Sequence, residues 1–255
     1  MMKKPQLSYV TVLMVLFSIG NAYGETLHFS SGEKRVTLIE LFTSEGCSSC
    51  PPAEAWLGGF KSDQRLWHEI IPVAFHVDYW DSLGWKDTFS SPLHSQRQRR
   101  YQREGGVRSV YTPGIVVNGL EWRGWFRLQD PPFKRHPAAQ LELALGGSTV
   151  TAQYAGITQH NEAYILNLAV LAFDHRSQVT SGENSGRYLH QDFAVVGYKT
   201  AASNSGSWHT TLPSLIHTEA KRYGVAAWVS RAGSQAPLQA AGGWIPSSII
   251  EDNLP

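Results

Sequence analysis

Apolar residues fill both faces of the run Val36-Thr37-Leu38-Ile39-Glu40-Leu41-Phe42, a pattern that predicts a central strand of a covered sheet. Pro51 and Pro52 then suit the first turn of a helix, where missing N–H groups cost nothing. Ala53, Trp56, Leu57 and Phe60 follow at i, i+3, i+4 and i+7, one helical stripe that Gly58-Gly59 cuts short. Ile70 to Val77 predicts a second buried strand. Ser91-Pro92 opens a helix with its body from Leu93 to Glu104, and Gly105-Gly106 closes it. Leu93 and Tyr101 are the only large apolar residues of that helix, so Arg97, Arg99, Arg100 and Arg103 are expected mostly in water. Gly114 to Asn118 and Leu120 to Trp122 flank an Asn118-Gly119 turn, a strong hairpin signal. After Pro131-Pro132, residues Pro137 to Leu145 predict a last helix. The order is β-α-β-α-β-β-α, with a parallel first pair of strands and an antiparallel second pair.

The texture changes after Gly146-Gly147. Thr149 to Tyr154, Ala163 to Phe173, Tyr188 to Tyr198, Trp208 to Leu212, Tyr223 to Val229 and Leu238 to Ala241 are β-rich runs separated by Gly, Ser and Asn. Strands at this spacing predict a small antiparallel sandwich. The amino terminus reads differently again. Lys3 and Lys4 precede a short apolar stretch, Tyr9 to Gly20, and Ala22-Tyr23-Gly24 supplies small residues where a signal peptidase reads. A secretory signal peptide with cleavage after Gly24 is expected, and with it a periplasmic or secreted protein; an uncleaved anchor is the other reading. The expected division is therefore signal peptide 1–24, first domain 25–147 and β-rich domain 148–255.

Charge adds an exclusion. The 255 residues carry 22 basic and 21 acidic side chains, a net +1, and without the two lysines of residues 1–24 the charge is −1. So neutral a chain speaks against nucleic acid or an anionic membrane as the main partner. No membrane insertion is expected once the signal peptide is removed.

Two cysteines are too few for a disulfide scaffold. Cys47 and Cys50 lie three residues apart, so a bridge between them closes almost no loop and gains little chain entropy. That points to chemistry at the sulfurs. The motif follows a predicted strand and opens a predicted helix, whose first turn offers a partial positive charge that favours a thiolate. Cys47, before the helix, is expected to be the accessible attacking group, and Cys50 the sheltered resolving thiol that releases a mixed disulfide. An inert local disulfide and a metal site are the other readings, although two cysteines alone make a poor zinc site.

Residues 36–145 resemble a thioredoxin fold, and Tyr111-Thr112-Pro113 matches its cis-proline loop. The resemblance implies a cis Pro113 beside the disulfide and a Thr112 backbone that pairs with an extended client. It also sets Glu40 where thioredoxins keep a buried acid that relays protons to the resolving thiol. The bland reading of Glu40 is an acid turned to solvent or paired with an arginine. More closely, the chain resembles the secreted bacterial family called domain of unknown function 1223, through the stretches Glu40 to Glu54, Phe75 to Asp81, Gly84 to Asp87 and Gly182 to Arg187. The fold expected is thus an α/β thioredoxin-like domain followed by a small all-β, antiparallel sandwich-like domain.

The loop after the second strand should border the cysteines, because ligands gather at the carboxyl ends of parallel strands. Trp80 and Trp85 are candidates for an aromatic wall against a client, or for loop core. Asp78 either orders the loop, caps a turn or binds a cation, and His76 reads as core. Gly182 to Arg187 is turn chemistry, and His190 and Asp192 share a strand face but form a thin basis for a metal site. The leading expectation is an exported thiol–disulfide oxidoreductase acting on protein or small-molecule thiols and disulfides, without a cofactor or metal. A non-catalytic thioredoxin-fold binding protein with a structural disulfide is the alternative. A thiol-based copper handler, with His76 as its only partner, is a third.

Overall fold

The computed structural model describes residues 26–133, 135–157, 162–251 and 253–254. The expected signal peptide lies outside them. In chain order the elements are β1 (Leu27–Ser30), β2 (Thr37–Thr43), α1 (Pro51–Gly58), β3 (Ile70–His76), α2 (Pro92–Arg103), β4 (Gly114–Val117), β5 (Leu120–Glu121), β6 (Leu141–Gly146), β7 (Thr149–Tyr154), β8 (Tyr164–Phe173), β9 (His175–Gln178), β10 (Tyr188–Gln191), β11 (Ala194–Ser203), β12 (Ser207–Thr211), β13 (Arg222–Arg231), β14 (Pro237–Ile245) and α3 (Ser247–Glu251).

The protein is mostly β, and this overturns the expected fold class of an α/β thioredoxin-like domain beside a separate sandwich. Eight strands form one sheet in the order β14-β13-β8-β11-β3-β2-β4-β5. Strands from the two halves of the chain meet where β3 and β11 run parallel, with Ala194 opposite Ala74 and the Ala74 N–H donating to the Phe193 carbonyl at 2.9 Å. The second departure is local. The expected helix over 137–145 is instead β6, which pairs with β1 and β7 in a four-stranded sheet, β1-β6-β7-β12. Leu141, Leu143 and Leu145 are buried while Glu142 is exposed, the period of two that marks a strand with one covered face.

β8 and β13 are buried on both faces and separate two cores. Leu166, Leu168 and Val170 of β8 pack with Leu143, Val150 and Trp208 of the four-stranded sheet. Ala169, Leu171 and Phe173 face the other way, toward a core shared with Leu41, Phe75 and Trp228. The run Tyr188 to Tyr198 divides into β10 and β11 at Phe193, whose φ of 61° interrupts the extended chain.

Helix α2 lies against the sheet with a polar inner face. Its buried residues are His94, Ser95, Arg97, Gln98 and Tyr101, a helical stripe at i, i+1, i+3, i+4 and i+7, whereas Leu93 is half exposed. Arg97, expected in water, has no exposed surface. Its guanidinium pairs with Glu40 at 2.5 Å and donates to Gln235 Oε1 at 2.5 Å, Asn167 Oδ1 at 3.2 Å and the Tyr198 hydroxyl at 3.2 Å. The rings of Phe75, Tyr101, Tyr198 and Trp228 surround it within 6 Å. The Tyr101 hydroxyl donates to the second Glu40 oxygen. Burial holds the Glu40 pKa above the usual carboxylate range, and the Arg97 charge and the Tyr101 hydroxyl draw it part of the way back.

Replacing Arg97 by Met leaves that carboxylate desolvated and should cost about 3–5 kcal/mol of stability. The double variant Arg97→Met, Glu40→Leu should recover part of the loss. Urea unfolding of the three proteins checks this; equal midpoints for wild type and Arg97→Met contradict it.

Candidate functional site

Cys47 and Cys50 are joined in a disulfide with Cα atoms 5.4 Å apart. The turn that carries them follows β2 directly, with the Cys47 N–H donating to the Ser44 carbonyl at 3.1 Å. Cys50 caps α1, and its carbonyl accepts the N–H groups of Ala53 at 2.9 Å and Glu54 at 3.1 Å. Ser48 and Ser49 are exposed, and Ser49 Oγ lies 3.3 Å from Cys47 Sγ. Both cysteines are buried, including Cys47, which was expected to be accessible.

A strap from the second half of the chain covers them. Asn184 donates its amide to the carbonyls of Glu45 at 2.8 Å and Cys47 at 3.0 Å. Arg187 holds the Asn184 oxygen at 2.7 Å, and the Glu183 carboxylate accepts the Ser48 N–H at 3.0 Å. Hydrogen bonds from Ser48 hold the Glu183 pKa below the usual carboxylate range. Ser181 donates to the Gly84 carbonyl. Gly182 has φ 73°, and a Cβ there would stand 3.2 Å from Trp85 Cβ, so the strap needs a glycine at this point. The segment that reads as ordinary turn chemistry in sequence is the cover of the disulfide.

The loop after β3 closes the other side. Trp85 donates from Nε1 to Glu45 Oε2 at 2.9 Å, and Trp80 donates to Thr112 Oγ1 at 2.8 Å. Both rings are half-buried. A Cβ on Gly46 would lie 3.4 Å from Trp80 Cβ, so Trp80 spans the space between the cysteine turn and the Thr112–Pro113 loop. The Thr112–Pro113 bond is cis and Pro113 is buried. Asp78 accepts the Ser95 hydroxyl, and its own N–H donates to Ser95 Oγ at 3.1 Å; it ties the loop to α2.

Beneath the turn lies a set of buried ionisable groups. His76 Nδ1 is 2.7 Å from Asp87 Oδ2, which also accepts the Glu45 N–H at 2.7 Å. Burial opposes charge on His76, but Asp87 beside it, helped by Glu54 and Glu45, pushes its pKa up to about 9. Burial likewise works against the Asp87 carboxylate, and His76 overcomes it to hold the pKa low. Glu45 is pushed up by burial and then by Asp87. Glu54 accepts the Thr43 hydroxyl at 2.6 Å, and burial pushes its pKa up to about 7.

Glu40 is not among these groups. It and Thr43 stand three positions apart on β2 and so face opposite sides of the sheet, Glu40 toward α2 and Thr43 toward α1. Asp192 accepts Lys61 at 2.9 Å and the Asp174 N–H at 3.0 Å, and His190 is exposed nearby. Among the described residues no group of three His, Cys, Asp or Glu side chains is arranged to hold a metal ion. Glu45, Glu54, Asp87 and Asn184 complete the site without having been singled out in sequence. Only Glu54 carried a local signal, four residues after Cys50 on the same helical face.

Fold and site together define a mostly β protein whose disulfide sits at a helix start, under a strap from the far half of the chain. Residues 38–230 match the family described as Protein of unknown function (DUF1223), and the chain belongs to that family. The crystal structure of an Agrobacterium tumefaciens protein is similar over 83% of this chain and 94% of that one, at 20% identity and a TM-score of 0.54. The structure of HBP35 of Porphyromonas gingivalis is similar over 82% of this chain and 75% of that one, at 17% identity and a TM-score of 0.52. These likenesses concern the fold alone. No curated protein matches the chain.

The His76 pair sets a pH dependence. A histidine whose folded pKa stands at about 9, above its ordinary 6.5, contributes stability that is complete below 6.5 and lost as pH rises through 9. The oxidised protein should therefore unfold at lower urea at pH 9.5 than at pH 7. Equal midpoints at the two pH values contradict the assignment.

Proposed function

We propose that this is an exported protein that exchanges thiols and disulfides through Cys47 and Cys50. The observation that carries the reading is the disulfide itself. It joins residues three positions apart, too close to staple the fold, at the start of a helix and near buried acids. An incoming thiolate attacks Cys47 Sγ, the Cys47–Cys50 bond breaks, and Cys50 leaves as a thiolate that gains a proton. A second client thiolate then attacks the client sulfur of the mixed disulfide. The client is oxidised by two electrons, and the protein becomes the dithiol. The same steps in reverse reduce a client disulfide, with Cys47 attacking and Cys50 resolving.

Access to Cys47 requires Glu183 and Asn184 to withdraw, because their hydrogen bonds lie across the turn that carries it. The partner is a protein or small-molecule thiol or disulfide that enters past Ser48 and Ser49. Trp80, Trp85 and Thr112 border that entrance. Lys3, Lys4, the apolar run Tyr9 to Gly20 and Ala22-Tyr23-Gly24 support export to a periplasmic or extracellular, oxidising compartment. One observation favours a second reading, a binding protein with a locked disulfide: neither sulfur-bearing residue is exposed.

With a small model disulfide, Cys47→Ser should abolish exchange, whereas Cys50→Ser should accumulate a mixed disulfide visible by mass spectrometry. Single variants that both exchange as the wild type does contradict the proposal. A wild-type disulfide that resists millimolar dithiothreitol favours the binding protein.

A further inference from the structure

When Cys50 leaves the disulfide, its sulfur is buried and must obtain a proton there. Glu54 is placed to supply it. Cys50 has helical backbone angles, so Cys50 and Glu54, at i and i+4, share one face of α1. Long helical side chains lean toward the helix N-terminus, which carries the Glu54 carboxyl back toward Cys50. The hydrogen bond from Thr43 fixes the carboxyl at the end of β2, next to Ser44, whose carbonyl holds the Cys47 N–H.

The same carboxyl also has a route to water. A cleft of about 290 Å³ runs between α1 and β10, lined by Pro51, Glu54, Arg187, Tyr188, His190 and Asp192. Glu54 is 8% exposed and lines it, while Cys50 is sealed. Gln191, from β10, reaches the second carboxyl oxygen at 3.5 Å. Glu54 thus shares a helix face with Cys50 and lines a groove open to the surface.

We infer that Glu54 donates and accepts the proton of Cys50 during disulfide exchange, with the cleft between α1 and β10 as its connection to water. The inference rests on the exchange reading above. As the Cys47–Cys50 bond breaks, the Glu54 carboxyl gives its proton to the Cys50 thiolate and becomes a carboxylate, which water in the cleft reprotonates. In the reverse step the carboxylate takes the Cys50 proton as that sulfur attacks the mixed disulfide on Cys47, and the client thiolate leaves. Charged groups on the packed elements set the balance. His76 of β3 favours the carboxylate, while Asp87 and Glu45 oppose it. Across the cleft stand Arg187, His190 and Asp192. A carboxyl held near pH 7 gives and takes a proton with similar ease at neutrality.

The test is the rate of reduction of the full-length disulfide by dithiothreitol, followed by tryptophan fluorescence between pH 5.5 and 9. After correction for ionisation of the reagent, the wild-type rate should change slope near pH 7. Glu54→Gln keeps the size and a hydrogen-bond acceptor for Thr43. It should lose that inflection and react about tenfold or more slowly at pH 6. An E54Q profile that superimposes on a reactive wild type overturns the role of Glu54 and leaves the exchange reading standing. A wild type inert at every pH overturns both. Should E54Q not fold, carbon NMR titration of the wild-type Glu54 carboxyl decides: its pKa should differ between the disulfide and dithiol forms, and identical titrations overturn the inference.

Discussion

A guanidinium in a protein interior must be paired and fully hydrogen-bonded, because desolvation otherwise costs more than the fold can bear. Arg97 meets that demand by gathering groups from across the chain: Glu40 from β2, Tyr101 from its own helix, Asn167 from β8, Tyr198 from β11 and Gln235 from the turn before β14. Satisfying one side chain thus presses α2 onto strands from both halves. Other residues of the same helix then organise the loops around the disulfide. Ser95 holds Asp78, His94 Nδ1 lies 2.8 Å from the His76 carbonyl, and Gln98 donates to the Tyr111 carbonyl at 2.6 Å. The positions of the Trp80 loop and of the Thr112–Pro113 loop therefore depend on a cation that touches neither.

The disulfide is held from two directions. The first half of the chain supplies the turn, the helix start and the buried pair of His76 and Asp87. The second half supplies the strap, with Asn184 gripping the backbone and Glu183 capping the Ser48 N–H. Asn184 and Glu183 thus reach the main chain of the cysteine turn rather than the sulfurs. Held in this way, both cysteines are left without exposed surface.

Much of the first half was legible in the sequence. The strands at β2 and β3, the starts of α1 and α2 and the Asn118-Gly119 turn announce themselves through apolar runs, prolines and turn residues. Two misreadings share one cause. α2 looked like a helix bathed in water because its inner face is polar, and only the partners of Arg97, up to 138 residues away, make that face a core. Leu141 and Leu145 fit a helical period as well as a strand period, and pairing with β1 and β7 decides for the strand. Glu40 reads in sequence either as a buried proton relay or as an acid in solvent or paired with an arginine; it is buried and paired with Arg97, and alternation along β2 turns it to the opposite side of the sheet from α1. The strap reads only as a turn because its partners lie 97 to 139 residues away in sequence.

Exchange at this site requires that the covered disulfide be reducible by thiol partners. A redox titration of the wild-type, full-length protein in glutathione buffers, followed by mass shift after thiol alkylation, measures this directly. An exchanging pair should titrate above about −300 mV, within reach of thiol partners. A disulfide that stays oxidised below about −300 mV belongs with structural bridges and contradicts the account.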